Sequence, residues 1–313
     1  MKATIIGAGR YGSTTAQRLA ELDIVDEVVM VDIIEGLPQG LALDIMQSRP
    51  IEGFKTRVVG SNDYGPTAGS DVCVVTAGVP RKPGMSRMDL LDTNAKIVSD
   101  VVRRFVEGSP DAVIIVVSNP LDEMTALAAK VSGFPKNRIM GQAGVLDTAR
   151  LQHFVAEEFG VHPSEVEAIT LGSHGDTMVP VPSRVKVAGR PLKEIATPEQ
   201  IERLVERTRD AGAEIVSLLK TGSAYFAPSS AAVKMVRAIV EDTKETMPVC
   251  AWVEGQYGVS GVFLGVPAKL GRGGVEEIVE IPLEPDELEA LRKAAEAVRS
   301  KQQDLDKLSS GND

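Results

Sequence analysis

Cysteine is almost missing from this chain: Cys73 and Cys250 are the only two in 313 residues. They share no CxxC spacing, which excludes a dithiol redox motif, a zinc ribbon and a disulfide scaffold, and no other metal-ligand spacing is present. Cys73 lies in the apolar run Asp71-Val-Cys-Val-Val and Cys250 in Pro248-Val-Cys-Ala-Trp, so both read as buried, reduced thiols. A basic excess is lacking too. Lys+Arg number 34 against 44 Asp+Glu, and a net charge of −10 leaves no basic stripe for nucleic-acid phosphates. No apolar run reaches the ~18 residues that a membrane-spanning helix needs. Met1-Lys-Ala-Thr-Ile-Ile-Gly runs straight into a strand pattern without the layout of a signal peptide. The expectation is a soluble cytoplasmic protein with no metal, membrane or nucleic-acid partner.

What is present is ordinary globular material in enough length for two domains. Hydrophobic residues make up 43% and charged residues 25%, close to the averages for packed domains. The first half alternates short β-branched runs with amphipathic helical stretches. Strands are expected at Ala3–Ile6, Glu27–Val31, Arg57–Val59, Asp71–Thr76, Asp111–Val117 and Arg138–Gly141, with helices at Gly12–Leu22, Gly40–Ser48, Leu90–Val106 and Asp122–Val131. Such alternation predicts a parallel sheet covered by helices on both faces. Beyond Gly141 the pattern changes. A helix at Asp147–Phe159 is followed by strand-like Val166–Leu171 and a hairpin-like region around Val179–Val187. Long helices are expected at Pro198–Leu219 and Ala224–Val240, then strand-like pieces at Val249–Val253, Val262–Leu270 and Val275–Ile281. A last helix spans Pro285–Lys307, and Ser309-Ser-Gly-Asn-Asp reads as a disordered tail.

Gly7-Ala-Gly9-Arg-Tyr-Gly12 has the form G-x-G-x-x-G. Alone the pattern is weak, but here a strand precedes it, a helix follows it, and Asp32 ends the next strand 20 residues after Gly12. Gly7 permits a tight turn, Gly9 lets a pyrophosphate approach the backbone, and Gly12 lets the helix pack on the strand. Asp32 can accept hydrogen bonds from ribose hydroxyls. Its charge repels a 2′-phosphate, and Ile33-Ile-Glu-Gly-Leu offers no cation to offset that. The reading is NAD rather than NADP.

Three histidines exist, so each can be weighed. His153 falls inside a helix and His162 before a proline; both read as structural or solvated. His174, in Leu171-Gly-Ser-His-Gly-Asp176, sits after a strand between glycines, where reactive groups are often carried. Asp147 and Arg150 lie three apart at a helix start and share a face. They form either a plain surface ion pair or a site, in which Arg150 offers a planar fork to a carboxylate and Asp147 orients a histidine. The loop Ala77-Gly-Val-Pro-Arg81-Lys-Pro-Gly-Met-Ser-Arg87 leaves the carboxyl end of a strand, as does Ser118-Asn119-Pro120; ligands of doubly wound sheets bind at that edge. The loop could close over a bound substrate.

These segments, in this order and over nearly the whole chain, resemble the lactate/malate dehydrogenase family, in particular its malate dehydrogenases of lactate-dehydrogenase-like architecture. The resemblance implies an α/β fold: an N-terminal Rossmann doubly wound parallel sheet over residues 1–143 and a C-terminal α+β catalytic domain over 144–313. It implies His174 as general acid/base and Asp147 as the carboxylate that fixes its tautomer. Arg150 would grip the C1 carboxylate, Arg87 would polarise the reacting oxygen, and Asn119 would hydrogen-bond near it. The cofactor would be NAD, held by Gly7, Gly9, Gly12, Asp32, Asn94 and Asn119. In the family an arginine at the position of Arg81 goes with dicarboxylates and a neutral glutamine with lactate. Physics agrees, because a monocarboxylate would strand the Arg81 charge in a closed site at a cost of about 2–5 kcal/mol. Ala224 stands where lactate enzymes carry a pocket threonine, and leaves more room. The implied activity is reversible oxidation of (S)-malate to oxaloacetate by a homodimer or homotetramer. Two alternatives stay open here: a lactate or broad 2-keto-acid dehydrogenase, and a non-catalytic NAD-binding sensor that would keep the glycines and Asp32 without needing His174, Asp147 and Arg150.

Overall fold

The computed structural model describes residues 1–80 and 87–310. The first half builds β1 (Lys2–Ile6), α1 (Arg10–Glu21), β2 (Glu27–Val31), α2 (Leu37–Glu52), β3 (Arg57–Ser61), β4 (Val72–Val75), α3 (Arg87–Gly108), β5 (Val113–Val116), α4 (Leu121–Ser132) and β6 (Ile139–Gly141). The strands pair in parallel in the order β3-β2-β1-β4-β5-β6. The chain therefore starts mid-sheet, winds to one edge, then crosses back. That reversal opens a crevice between the carboxyl ends of β1 and β4.

Alternate residues of each central strand enter different cores. Ala3, Ile5, Val72, Val74, Val113 and Ile115 face one, together with α1. Ile6, Cys73, Val75, Ile114 and Val116 face the other, beneath α3 and α4. Burial on both faces is why these runs read as continuously apolar. Both thiols are buried, as expected.

The second half begins with α5 (Gly144–Phe159), β7 (Val166–Glu167), β8 (Thr170–Gly172), β9 (Met178–Pro180), β10 (Lys186–Val187) and β11 (Arg190–Pro191). It continues with α6 (Leu192–Ile195), α7 (Pro198–Leu219), α8 (Phe226–Val240), β12 (Thr246–Glu254), β13 (Ser260–Gly271), β14 (Gly274–Ile278) and α9 (Pro285–Ser310). The long β12–β13 hairpin does not stand apart. β12 joins the edge of β6 antiparallel through Cys250 and Gly141, and β13 carries β8 through Gly265 and Gly172. One large sheet thus runs from the parallel strands to the strand that precedes His174.

Three expectations change. Val166–Leu171 is two strands in two sheets: β7 lies in a small sheet with β10 and β11, while β8 belongs to the large one. The hairpin-like region expected around Val179–Val187 is divided between the two sheets in the same way, with antiparallel pairs β8–β9 and β10–β11. β9 pairs with β8 and β10 with β7, and the 3-10 turn Pro182–Arg184 separates them, since Pro182 has no N–H for a ladder. The last helix continues through Ser310, so Ser309 and Ser310, expected in the tail, are helical. Among the described residues no helix is long and apolar enough to cross a membrane, and no group of three or more His, Cys, Asp or Glu could hold a metal ion.

Candidate active site

Five segments leave the carboxyl ends of the strands on one side of the sheet. At the end of β1 the backbone turns at Gly7, whose φ of +102° suits glycine; a Cβ there would stand 2.6 Å from Thr76 Oγ1. At Gly12 a Cβ would lie 1.8 Å from the Gly7 carbonyl oxygen, so α1 reaches the strand only without one. Gly9 differs: a Cβ there meets nothing within 4 Å. Gly9 caps α1 with no side chain covering the first turn, and no acidic residue lies in that turn. Unpaired N–H groups facing open space form a cradle for a phosphate group, and a pyrophosphate fits it.

Asp32, just past β2, closes one end of this crevice. Its Oδ2 accepts the Ala8 N–H at 2.7 Å and Oδ1 the Ile34 N–H at 2.9 Å. Asn62 Nδ2 donates to the carbonyls of Asp32 and Ile34 at 2.7 and 2.9 Å, bracing the turn. Each carboxylate oxygen of Asp32 keeps a free lone pair for a ribose hydroxyl.

At the ends of β4 and β5, Ser118 Oγ donates to the Ala77 carbonyl at 2.6 Å and ties the two strand ends together. Asn119 is exposed and leads through a cis peptide bond to Pro120. Asn94 takes a part that its sequence position does not announce. It is 1% exposed, its Oδ1 accepts the Val79 N–H at 2.8 Å, and its Nδ2 donates to the carbonyls of Asn119 at 2.6 Å and Val79 at 3.2 Å. Both amide hydrogens bond to the backbone, so Asn94 braces Asn119 at the edge of the crevice in which it is expected to meet the cofactor. Arg81 lies outside the described residues. Arg87 opens α3, and its side chain also lies outside them.

The candidate catalytic residues assemble around Asp147, in the first turn of α5 and only 2% exposed. Its Oδ2 lies 2.9 Å from His174 Nδ1, and its Oδ1 accepts from Arg150 Nη1 at 3.2 Å. A carboxylate can only accept here, so Nδ1 carries the proton and Nε2 is left to exchange one with a ligand. Arg150 is 12% and His174 20% exposed, enough to be reached from the crevice. Burial disfavours the charged imidazole. The Asp147 carboxylate beside it and its hydrogen bond outweigh that, and His174 holds its proton above the ordinary histidine range. The other two histidines stay away: His153 is exposed, and the exposed His162 caps the turn Pro163–Glu165.

Sequence reasoning missed Asp122. It is 3% exposed in the first turn of α4, where its Oδ2 accepts the His174 backbone N–H at 3.0 Å and its Oδ1 the Cys250 Sγ–H at 3.3 Å. Burial pushes its carboxyl up from the usual range. His174 is therefore pinned twice, the ring by Asp147 and the backbone by Asp122. An acid in the first turn of a helix is commonplace, so the sequence holds no signal for this contact. Gly212 was also unforeseen: α7 passes Arg150 there, and a Cβ would stand 3.6 Å from Nη2. Ala224 is half-buried beside Tyr225.

Known proteins match this arrangement along the chain. The profile of the lactate/malate dehydrogenase NAD binding domain matches residues 1–141, and that of the lactate/malate dehydrogenase alpha/beta C-terminal domain matches residues 144–307. The malate dehydrogenase of Salinibacter ruber is 54% identical over 98% of both chains, and that of Roseiflexus castenholzii is 53% identical over 96% of both. Among solved structures, the Salinibacter ruber malate dehydrogenase superposes with a TM-score of 0.95 at 51% identity, covering 100% of both chains. The Cryptosporidium parvum lactate dehydrogenase, complexed with lactic acid and nicotinamide adenine dinucleotide, superposes with a TM-score of 0.94 at 42% identity, over 97% of this chain and 98% of its own.

Proposed function

Because the chain belongs to the lactate/malate dehydrogenase family, we propose the residue roles that follow for the reversible NAD-dependent oxidation of (S)-malate to oxaloacetate, an activity in line with its malate dehydrogenase relatives. In balance, malate and NAD⁺ give oxaloacetate, NADH and a proton. The bound nicotinamide supplies the hydride chemistry. Gly7, Gly9 and Gly12 shape the phosphate cradle, Asp32 receives the adenosine ribose, and Asn119 stands at the same strand edge. Arg150 offers its guanidinium to the C1 carboxylate of the substrate. His174 Nε2 takes the C2 hydroxyl proton during oxidation and returns it during reduction. Asp147 holds the ring in that tautomer and stabilises the imidazolium. The observation that carries the reading is the double use of Asp147, which fixes the base and the carboxylate grip relative to each other.

The choice of a dicarboxylate over lactate rests on the relatives and on Arg81, which the family places against the second carboxylate. Residues 1–143 and 144–313 form the cofactor-binding and catalytic domains in this reading. Assembly as a homodimer or homotetramer and a cytoplasmic location belong to it as well.

Steady-state oxidation of NADH with oxaloacetate and with pyruvate, at matched pH and salt, tests the reaction. Strong preference for oxaloacetate is expected, and preference for pyruvate would mean that Arg81 points away from the substrate. A His174→Asn variant is expected to bind NADH as the parent does while turnover falls on the order of 10²-fold or more. Loss of NADH binding along with turnover would make the histidine structural.

A further inference from the structure

The cofactor reading leaves one charged side chain of the glycine turn without a role. Arg10 is exposed and opens α1, directly after Gly9 and its open cradle. A cation at a helix N-terminus is unfavourable, because the helix dipole already places positive partial charge there. Most other helices of the chain carry acids in that turn: Asp89 in α3, Asp122 and Glu123 in α4, Asp147 in α5, Glu199 in α7 and Asp286 in α9. No described carboxylate lies within ion-pair distance of Arg10.

Its guanidinium is instead placed by the other half of the chain. It lies 5.8 Å from the centre of the Tyr225 ring, which packs in turn on Phe226 at 4.3 Å between centroids. Tyr225 is held beside the glycine turn because α8 is fastened to α1. Tyr11 Oη donates to the Pro228 carbonyl at 2.8 Å, and Arg18 Nε donates to Ser229 Oγ at 3.0 Å. A cation kept at the mouth of a phosphate cradle also answers a problem of the whole molecule. With a net charge of −10, the protein must attract a cofactor whose pyrophosphate is itself anionic.

Building on the assignment of an NAD site, we infer that Arg10 is a pyrophosphate-binding residue, and that Tyr225 is its positioning partner from the second half of the chain. Backbone N–H groups supply partial charge to the phosphates and Arg10 supplies a full one. The ring of Tyr225 keeps the long side chain over the turn instead of free in solvent.

The test is NADH affinity measured by fluorescence titration at about 20 mM and about 0.5 M salt, across which the Debye length shrinks several-fold. Arg10→Met is expected to weaken NADH about fivefold to twentyfold at low salt and to flatten the salt dependence that the parent shows. Adenosine, which carries no phosphate, should compete equally well against both proteins. Arg10→Lys should recover part of the loss, and Tyr225→Leu should weaken NADH by a smaller factor at low salt. Unchanged affinity in Arg10→Met overturns the proposal. So does a loss equal at both salts and shared by adenosine, which would report a loosened fold. A parent protein that binds no NADH at all would instead overturn the cofactor reading beneath it.

Discussion

Asp147 shows how much one buried carboxylate can organise. Its two oxygens face two cationic groups, the imidazole of His174 at 2.9 Å and the guanidinium of Arg150 at 3.2 Å. Burial and, to a lesser degree, Arg150 lower the proton affinity of His174, and Asp147 more than compensates, so the ring holds its proton above the ordinary histidine range. The sign for each direction of reaction follows. In the proposed mechanism reduction of oxaloacetate uses the protonated ring, so its kcat/KM is expected to hold below the raised pKa and to fall as pH rises through it. Oxidation of malate needs the neutral ring and gains over the same interval. Asp147→Asn removes the charge that lifts the pKa. The alkaline limb of the reduction profile is then expected to move to lower pH, with kcat reduced by roughly 10²-fold or more. Profiles of kcat/KM against pH for the two proteins check this, and an alkaline limb that stays in place would mean that another group sets it. This pair was legible in the sequence because helical spacing puts Asp147 and Arg150 on one face. Asp122 was not, since its contact with the His174 backbone spans 52 residues and exists only in the folded chain.

At the scale of elements, β-branched runs located the six parallel strands, most clearly β4 and β5, which are buried on both faces and apolar throughout. Helix ends were harder to place. α2 runs from Leu37 to Glu52 where Gly40–Ser48 was expected, with Pro38 tolerated in the first turn and Gly53 ending the helix at a φ of +83°. The fastening of α1 to α8 was invisible in the sequence, since Tyr11 and Pro228 are 217 residues apart. Their bond sets both the approach of the two halves and the place of Tyr225. Tyr11→Phe keeps the ring and removes the donor, while the buried Pro228 carbonyl keeps its place as an acceptor within helix α8. A loss of about 0.5–1.5 kcal/mol is expected. It would be read as a lower urea midpoint at unchanged m-value. An unchanged midpoint would mean that water replaces the hydroxyl there.

For the whole molecule, the two family profiles meet between residues 141 and 144. The folded chain is joined across that division. Cys250 of β12 pairs with Gly141 of β6 and is a packing group at this junction, whereas Cys73 is buried in β4 among strands of the first half. Gly141 has to be glycine for this approach, because a Cβ would stand 2.9 Å from the Cys250 Cβ. α9 also packs against α3 and α4, across the same division. A sheet shared between two halves couples their stabilities, since neither can lose its strands without exposing the edge of the other. One cooperative unfolding transition is therefore expected, not two. Trp252, the only tryptophan, lies on β12 with its ring 5.3 Å from that of Phe263, and reports the joint by fluorescence. Far-ultraviolet circular dichroism reports the helices of both halves. In urea the two signals should fall on one curve, and saturating NADH should move both together, by about 2.7 kcal/mol at a hundredfold excess over its dissociation constant. If Trp252 fluorescence changes first while the helical signal persists, the second half unfolds alone and the shared sheet is not a mechanical joint. Coincident curves would mean that the cofactor site, drawn from the first half, and the Asp147–His174 pair, drawn from the second, stay in register because a single folding event makes them both.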